Sequence, residues 1–170
     1  GGNAAMVLAL KHPNLVNKLL IADISPVKYV HDQSRFIEAM QKIDLSKVEK
    51  RSDATLALSK FIEDTSLQSF FTQSLDLKTK RWKLNLSILL SEMDEILSFP
   101  EIDSKFLGHT LFLKGAKSEY VCSDHRKIIK SLFIKARFAT LKGAGHWLHS
   151  EKPREFESAA RLFFSKKEIF

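Results

Sequence analysis

One cysteine, Cys122, is all that the 170 residues hold. No intrachain disulfide can form, which excludes a disulfide-stapled scaffold and points to a reducing, intracellular compartment. No set of cysteines and histidines has zinc-ligand spacing, so no metal site is expected. Long apolar runs are also missing. Apolar runs such as Ser87–Leu90 with Ile96–Phe99 fall far short of the roughly 20 residues that span a bilayer. No signal or transit segment shows, and there is no internal repeat and no low-complexity stretch.

What is present suits a folded core. Apolar residues make up 44% of the chain, 13 of them Phe, and charged residues 28%, which argues against disorder. The length fits one domain. The net charge is +7. A nucleic-acid binder gathers such charge into a patch. Here Lys and Arg are spread along the chain, with short groups at Lys78–Lys83 and Lys166-Lys167. No nucleic-acid partner is expected, and a solvated basic surface is. The basic balance also fits a mitochondrial matrix protein.

The pattern begins as α/β and returns to it. Residues 3–12 read as a helix with a small-residue face of Ala4, Ala5, Leu8 and Ala9, stopped by His12-Pro13. Val16–Asp23 reads as a strand buried on both faces, because Leu19 to Ala22 is continuously apolar. Residues 28–104 then change character. Phe36, Ile37, Met40 and Ile43 recur at helical spacing, as do Leu56, Leu58, Phe61 and Ile62, and Leu67, Phe70 and Phe71. Trp82, Leu84 and Leu86 suggest a short extended piece, and Ile88 to Leu97 one helix ending before Pro100. From there Thr110–Lys114 reads as a strand and Gly115 as a turn. Ser123 caps a helix through Leu132, Arg137–Leu141 is the next strand, and Pro153–Phe164 the last helix. Strands alternating with helices predict a parallel sheet with helices on both faces. Three strands make a small sheet, as expected of one part of a larger fold.

Chemistry concentrates at the strand ends. His146 lies in Gly143-Ala144-Gly145-His146-Trp147-Leu148, after a strand and before the last helix. A histidine on a tight loop there can act as a general base, or it can simply cap the helix. Asp23 ends the first strand, where parallel sheets keep their sites. It can accept the imidazole N–H and fix its tautomer, or it can cap the turn into Ile24-Ser25-Pro26. Glu119, just past Thr110–Lys114, is the alternative acid, or a solvated loop carboxylate. Trp147 serves as substrate wall or as core. His149 reads as a surface or supporting residue rather than a second base.

Gly1-Gly2-Asn3-Ala4-Ala5-Met6 looks like the tail of a nucleophile elbow, Gly-His-Ser-Met-Gly-Gly. Leu20–Val27, with its Asp-Ile-Ser-Pro-Val, is similar to a signature of the α/β-hydrolase domain-containing protein eleven group and its bacterial esterase relatives. So are Thr110–Val121 and Gly143–Pro153. The resemblance covers essentially the whole chain. It implies the C-terminal part of an α/β-hydrolase sheet (residues 1–27 and 105–170) with a helical lid inserted at 28–104. No Gly-x-Ser-x-Gly occurs and the chain opens on Gly1 without Met. The expectation is therefore that the N-terminal strands and the nucleophile elbow precede it, with the serine just upstream of Gly1.

The resemblance further implies a carboxylic ester hydrolase with a Ser-His-Asp triad, mitochondrial in animals. It needs no cofactor and acts on a small-molecule ester or acyl substrate, whose apolar pocket the Phe-, Met- and Leu-rich helices of the lid would wall. It favours Asp23 as the acid over Glu119. Some animal members place the acid after a Trp-x-x-Asn-Leu pattern. Trp82-Lys83-Leu84-Asn85-Leu86 is similar, but Ser87 stands where the acid would be and carries no charge. Residues 1–170 alone should not turn over an ester, because His146 then has no nucleophile to activate. Two rivals remain: a non-catalytic protein of the same fold that binds a partner or lipid, and an enzyme with an aspartate nucleophile.

Overall fold

The computed structural model describes residues 1–30 and 33–165; the Lys166-Lys167 group lies outside the described residues. In chain order the elements are α1 (Gly2–Lys11), β1 (Lys18–Ala22), α2 (Ser34–Gln41), α3 (Arg51–Leu58), α4 (Thr65–Thr72), β2 (Leu75–Asp76), β3 (Arg81–Trp82), α5 (Leu86–Ser91) and α6 (Met93–Leu97). Then follow β4 (Phe106–Gly115), α7 (Arg126–Leu132), β5 (Phe133–Leu141), α8 (Leu148–Glu151) and α9 (Pro153–Ser165). The chain divides into two units: Gly1–Lys28 together with everything from Phe99 onward, and Tyr29–Ser98. The division falls at Phe99 rather than at 105. Phe99 and Ile102 pack against the core of the sheet unit and belong with it.

The sheet unit is a parallel sheet ordered β1-β4-β5. Ala22 pairs with Leu113 and Gly115 with Leu141, so all three strands end along one edge. Side chains alternate between faces along β4. Phe112 points into a cluster with Met6, Ala9 and Leu10 of α1, Ile129 of α7, and Leu19, Ile21, Phe106 and Phe133. Its neighbour Leu113 points the other way, into a cluster with Ala144, Leu148, Phe156 and Ala159 beneath α8 and α9. Helices therefore cover both faces, as an α/β sheet requires. Burying the large side chains here is worth about 1.5–3 kcal/mol each.

Several local expectations are corrected. The first strand is not closed on both faces: Leu19 and Ile21 are buried, Leu20 is half-buried and Ala22 exposed. Among the described residues it pairs with β4 alone. The strand expected at Thr110–Lys114 runs from Phe106 to Gly115, and Gly115 is its last paired residue rather than a turn. Ser123 does not cap α7. Its hydroxyl donates to Asp124 at 3.2 Å, and the helix starts at Arg126. The next strand begins at Phe133, directly after that helix, because Phe133 pairs with Phe106 and is fully buried.

The Tyr29–Ser98 unit is helical around its own core of Ile37, Met40, Ile43, Leu58, Leu75 and Leu86. Two of its helix starts, those of α4 and α5, are capped by short polar side chains. Asp64 accepts from Ser66 N at 2.7 Å and Leu67 N at 3.1 Å, and Asn85 accepts from Ile88 N at 3.2 Å. The extended piece expected over Trp82–Leu86 stops at Trp82, which pairs with Leu75 and donates its indole N–H to Met40 O at 3.0 Å. Because Asn85 caps there, Leu86 already belongs to a helix. The single helix expected over Ile88–Leu97 is two, separated at Glu92.

Candidate active site

Asp23 follows the last residue of β1. Its backbone takes the left-handed region at φ 50°, which Asp tolerates better than most residues. Its N–H still bonds to Leu113 O at 2.9 Å, which ties it to the end of the sheet. The side chain is 0% exposed. A buried carboxylate must be satisfied or it becomes costly, and this one has three donors. Oδ1 accepts from Gly115 N at 3.0 Å. Oδ2 takes the Ser118 hydroxyl and His146 Nδ1, the latter at 2.8 Å. None of these groups belongs to the turn at Ile24-Ser25-Pro26.

His146 reaches Asp23 from the far side of the sheet. Its loop leaves β5, two strands away from β1, and turns at Gly143, whose φ is +74°. It then crosses the end of β4. Lys117 N donates to Ala144 O at 2.9 Å, and Ala144 is buried beneath. The crossing is so close that a Cβ on Gly115 would lie 2.1 Å from Gly145 O and 2.7 Å from Ala144 O. Only glycine fits there. On the other side of the loop, Glu151 of α8 accepts from the N–H groups flanking His146: Gly145 N at 2.8 Å and Trp147 N at 3.3 Å.

The imidazole is 41% exposed. With Nδ1 taken by Asp23, Nε2 is the ring nitrogen left for a reaction. Tyr120 stacks on the ring, with centroids 4.0 Å apart and planes 22° apart. Burial first, and the negative charge of Asp23 second, push the Tyr120 phenol above its ordinary value of 10.0.

The structure thus brings together two of the sequence-derived residues, Asp23 and His146, and leaves the others outside that contact. Glu119 is exposed on the loop after β4 and makes no bond to His146. Trp147 is half-buried beside it, its N–H on Glu151. His149 is exposed, with its ring edge-on to Phe156 at 6.2 Å. Ser87 is exposed in α5 of the helical unit. Sequence reasoning missed Ser118, Tyr120 and Glu151. Among the described residues, no cluster of three or more His, Cys, Asp or Glu could hold a metal ion, and no helix is long and apolar enough to cross a membrane.

No family model matches the chain. Individual proteins do. The chain is 36% identical, over 97% of its length, to the sn-1-specific diacylglycerol lipase ABHD11 of Mus musculus, of which it spans 56%. It is 27% identical, again over 97% of its length, to the esterase YbfF of Escherichia coli (strain K12), of which it spans 64%. A solved marine microorganism esterase superposes with a TM-score of 0.90 at 33% identity, covering 96% of this chain and 66% of that one. The chain therefore spans between about half and two thirds of these relatives. A parallel sheet flanked by helices, and kinship along nearly all of its own length, make this chain a member of the α/β-hydrolase group that holds the ABHD11-type lipases and their bacterial esterase relatives.

Proposed function

We propose that this chain is the base-and-acid part of a carboxylic ester hydrolase, with His146 as general base and Asp23 as the acid that orients it. The observation that carries the reading is the 2.8 Å bond between a fully buried Asp23 carboxylate and Nδ1 of a partly exposed imidazole. A carboxylate so held fixes the tautomer that presents Nε2 as acceptor and stabilises the imidazolium that forms on proton transfer. The nucleophile would be a serine upstream of Gly1, as the likeness of Gly1–Met6 to the tail of a nucleophile elbow implies. It attacks the acyl carbonyl while His146 takes its proton. His146 then gives a proton to the leaving alcohol, and water completes the hydrolysis of the acyl-enzyme.

The relatives' names set the substrate class to test. One is named for the sn-1 ester of diacylglycerol and another as an esterase. A role for the helical unit as lid, and a mitochondrial location, are carried by the resemblance alone. The test uses the full-length protein with p-nitrophenyl esters, a micellar diacylglycerol and a fluorophosphonate label. His146→Ala should cut turnover by about 10²–10⁴-fold or more without unfolding the protein, since the ring is partly exposed. Residues 1–170 alone should be inactive. Full turnover in His146→Ala would overturn the reading. Turnover without fluorophosphonate labelling would favour an aspartate nucleophile, and folded protein with neither would favour a binding role.

A further inference from the structure

The basic group at Lys78–Lys83 takes no part in the Asp23–His146 pair. Residues 76–84 carry four cations and one acid. They form the hairpin of β2 and β3, in which Leu75 pairs with Trp82 and Asp76 with Arg81. Two such pairs are marginal on their own, and side chains fix this hairpin in place. Asp76 Oδ1 accepts from Lys78 N at 2.9 Å and Thr79 N at 3.3 Å, which closes the turn. Lys80, in the left-handed region at φ 53°, sends its ammonium back to Val48 O. Trp82 sends its indole N–H to Met40 O at 3.0 Å.

What remains outward is cationic. Lys78, Arg81 and Lys83 are exposed. Lys83 N continues the pairing to Ser74 O at 2.7 Å, so Arg81 and Lys83 fall on one face. With Asp76, Thr79 and Trp82 they line a cleft of about 490 Å³. The chain that leaves β3 then exposes two apolar side chains, Leu84 at 45% and Ile88 at 55%. By contrast, Lys47 is paired with Asp44 at 3.1 Å, and Arg51 donates to Leu75 O at 3.0 Å.

We infer that this hairpin is a docking surface for an anionic lipid bilayer, with a head-group phosphate between Arg81 and Lys83 and with Leu84 and Ile88 entering the interface. Cations beside apolar side chains are what a peripheral membrane contact takes. Asp76 also lines the cleft, but its Oδ1 is taken by the turn. A nucleic acid fits less well. Its binders contact about 6–10 phosphates and offer open aromatic faces. Here three cations point outward, and the Trp82 indole N–H is turned in to Met40. Each Lys or Arg near an anionic surface strengthens binding about fivefold, so three give about 10²-fold. The inference goes beyond the ester-hydrolase reading and does not depend on it.

The experiment is sedimentation of the full-length protein with phosphatidylcholine vesicles, with and without about 30% phosphatidylglycerol, at about 0.1 M salt. The protein should bind the anionic vesicles, leave the neutral ones, and come off as salt rises to about 0.5 M. Lys78→Ala, Arg81→Ala and Lys83→Ala should each weaken binding about fivefold, and together about 10²-fold. Lys127→Ala, Lys130→Ala and Lys135→Ala combined remove the same charge from exposed positions of α7 and β5 and should weaken it clearly less. Leu84→Ser with Ile88→Ser should weaken it about tenfold. Thermal melts control for folding, and the single variants decide should a combined one not fold. No binding to anionic vesicles, equal binding to neutral ones, or equal losses from the two lysine-and-arginine sets would overturn the inference. So would an unchanged Leu84→Ser, Ile88→Ser pair, or a hairpin-dependent preference for an oligonucleotide over vesicles. Binding is read without turnover, so any of these results leaves the ester-hydrolase reading untouched.

Discussion

Gly115→Ala is the sharpest test of how the site is assembled. The new Cβ would sit 2.1 Å from Gly145 O and 2.7 Å from Ala144 O, both backbone atoms of the His146 loop. Neither can rotate away, so the loop must lift by about 1 Å, and overpacking of this kind costs about 1–3 kcal/mol. Lifting it also strains the Lys117 N–Ala144 O bond of 2.9 Å, worth about 1 kcal/mol more. The sum, about 2–4 kcal/mol, should lower the urea midpoint by roughly 1–2 M at an ordinary m-value. The same displacement carries His146 away from Asp23, and a 1 Å misplacement costs about 10²-fold in rate. Gly145→Ala is the contrast, since its Cβ would meet the Glu151 carboxylate at 3.0 Å and that side chain can swing aside. It should cost clearly less on both counts. The assay is urea denaturation with kcat on one short-chain ester. An unchanged midpoint and kcat in Gly115→Ala would refute the crossing of the loop over β4.

Asp23→Asn should cost about 10⁴-fold in kcat, because the amide favours the wrong imidazole tautomer, whereas Glu119→Gln should cost little; the reverse ranking would transfer the acid role to Glu119. Ser87→Asp should leave kcat unchanged if Asp23 already serves, and a rise would place the acid at residue 87. In an absorbance titration of the two tyrosines, Tyr120 should ionise above its ordinary value, from burial first and Asp23 second, and Asp23→Asn should lower that value. Since the folded value is raised, the stability this phenol contributes is complete below about pH 10 and is lost as pH rises through the folded value; a melt that grows more stable there would contradict this.

Much of the sheet was legible because its signals are local. His12-Pro13 stops α1, the apolar run Leu19–Ala22 marks β1, and the phase of Phe156, Ala159 and Ala160 marks α9. The His146 loop was legible from its two glycines. Element ends were less so, because tertiary pairing sets them. Phe106 stands outside the run Thr110–Lys114 that reads as a strand, and it joins β4 where Phe133 pairs with it. Gly115 read as a turn because glycine usually makes one, yet here it ends a strand that another loop must cross. Ser118 and Tyr120 left no trace in the sequence. The partner of Ser118, Asp23, lies 95 residues away in the chain, and no periodicity reaches that far.

Gly115 and Asp23 are parts of one solution. The histidine loop follows β5, and the sheet order is β1-β4-β5. An acid on the loop after β4 would be one strand away from that loop. An acid at the end of β1 is two strands away, and the loop meets it only by passing over the last residue of β4. Any side chain at that residue would stand in its path, as the 2.1 Å approach shows. Asp23 as acid therefore requires glycine at 115, and the two should be coupled energetically. If Asp23→Asn costs about 10⁴-fold and Gly115→Ala about 10²-fold through the same His146 contact, the double variant should fall near the Asp23→Asn level rather than a further 10²-fold below it. Paired with Glu119→Gln, Gly115→Ala should instead show simple additivity, since that carboxylate does not share the contact. Independent effects of Gly115→Ala and Asp23→Asn on kcat would show that the crossing loop and the buried acid do not work through one another.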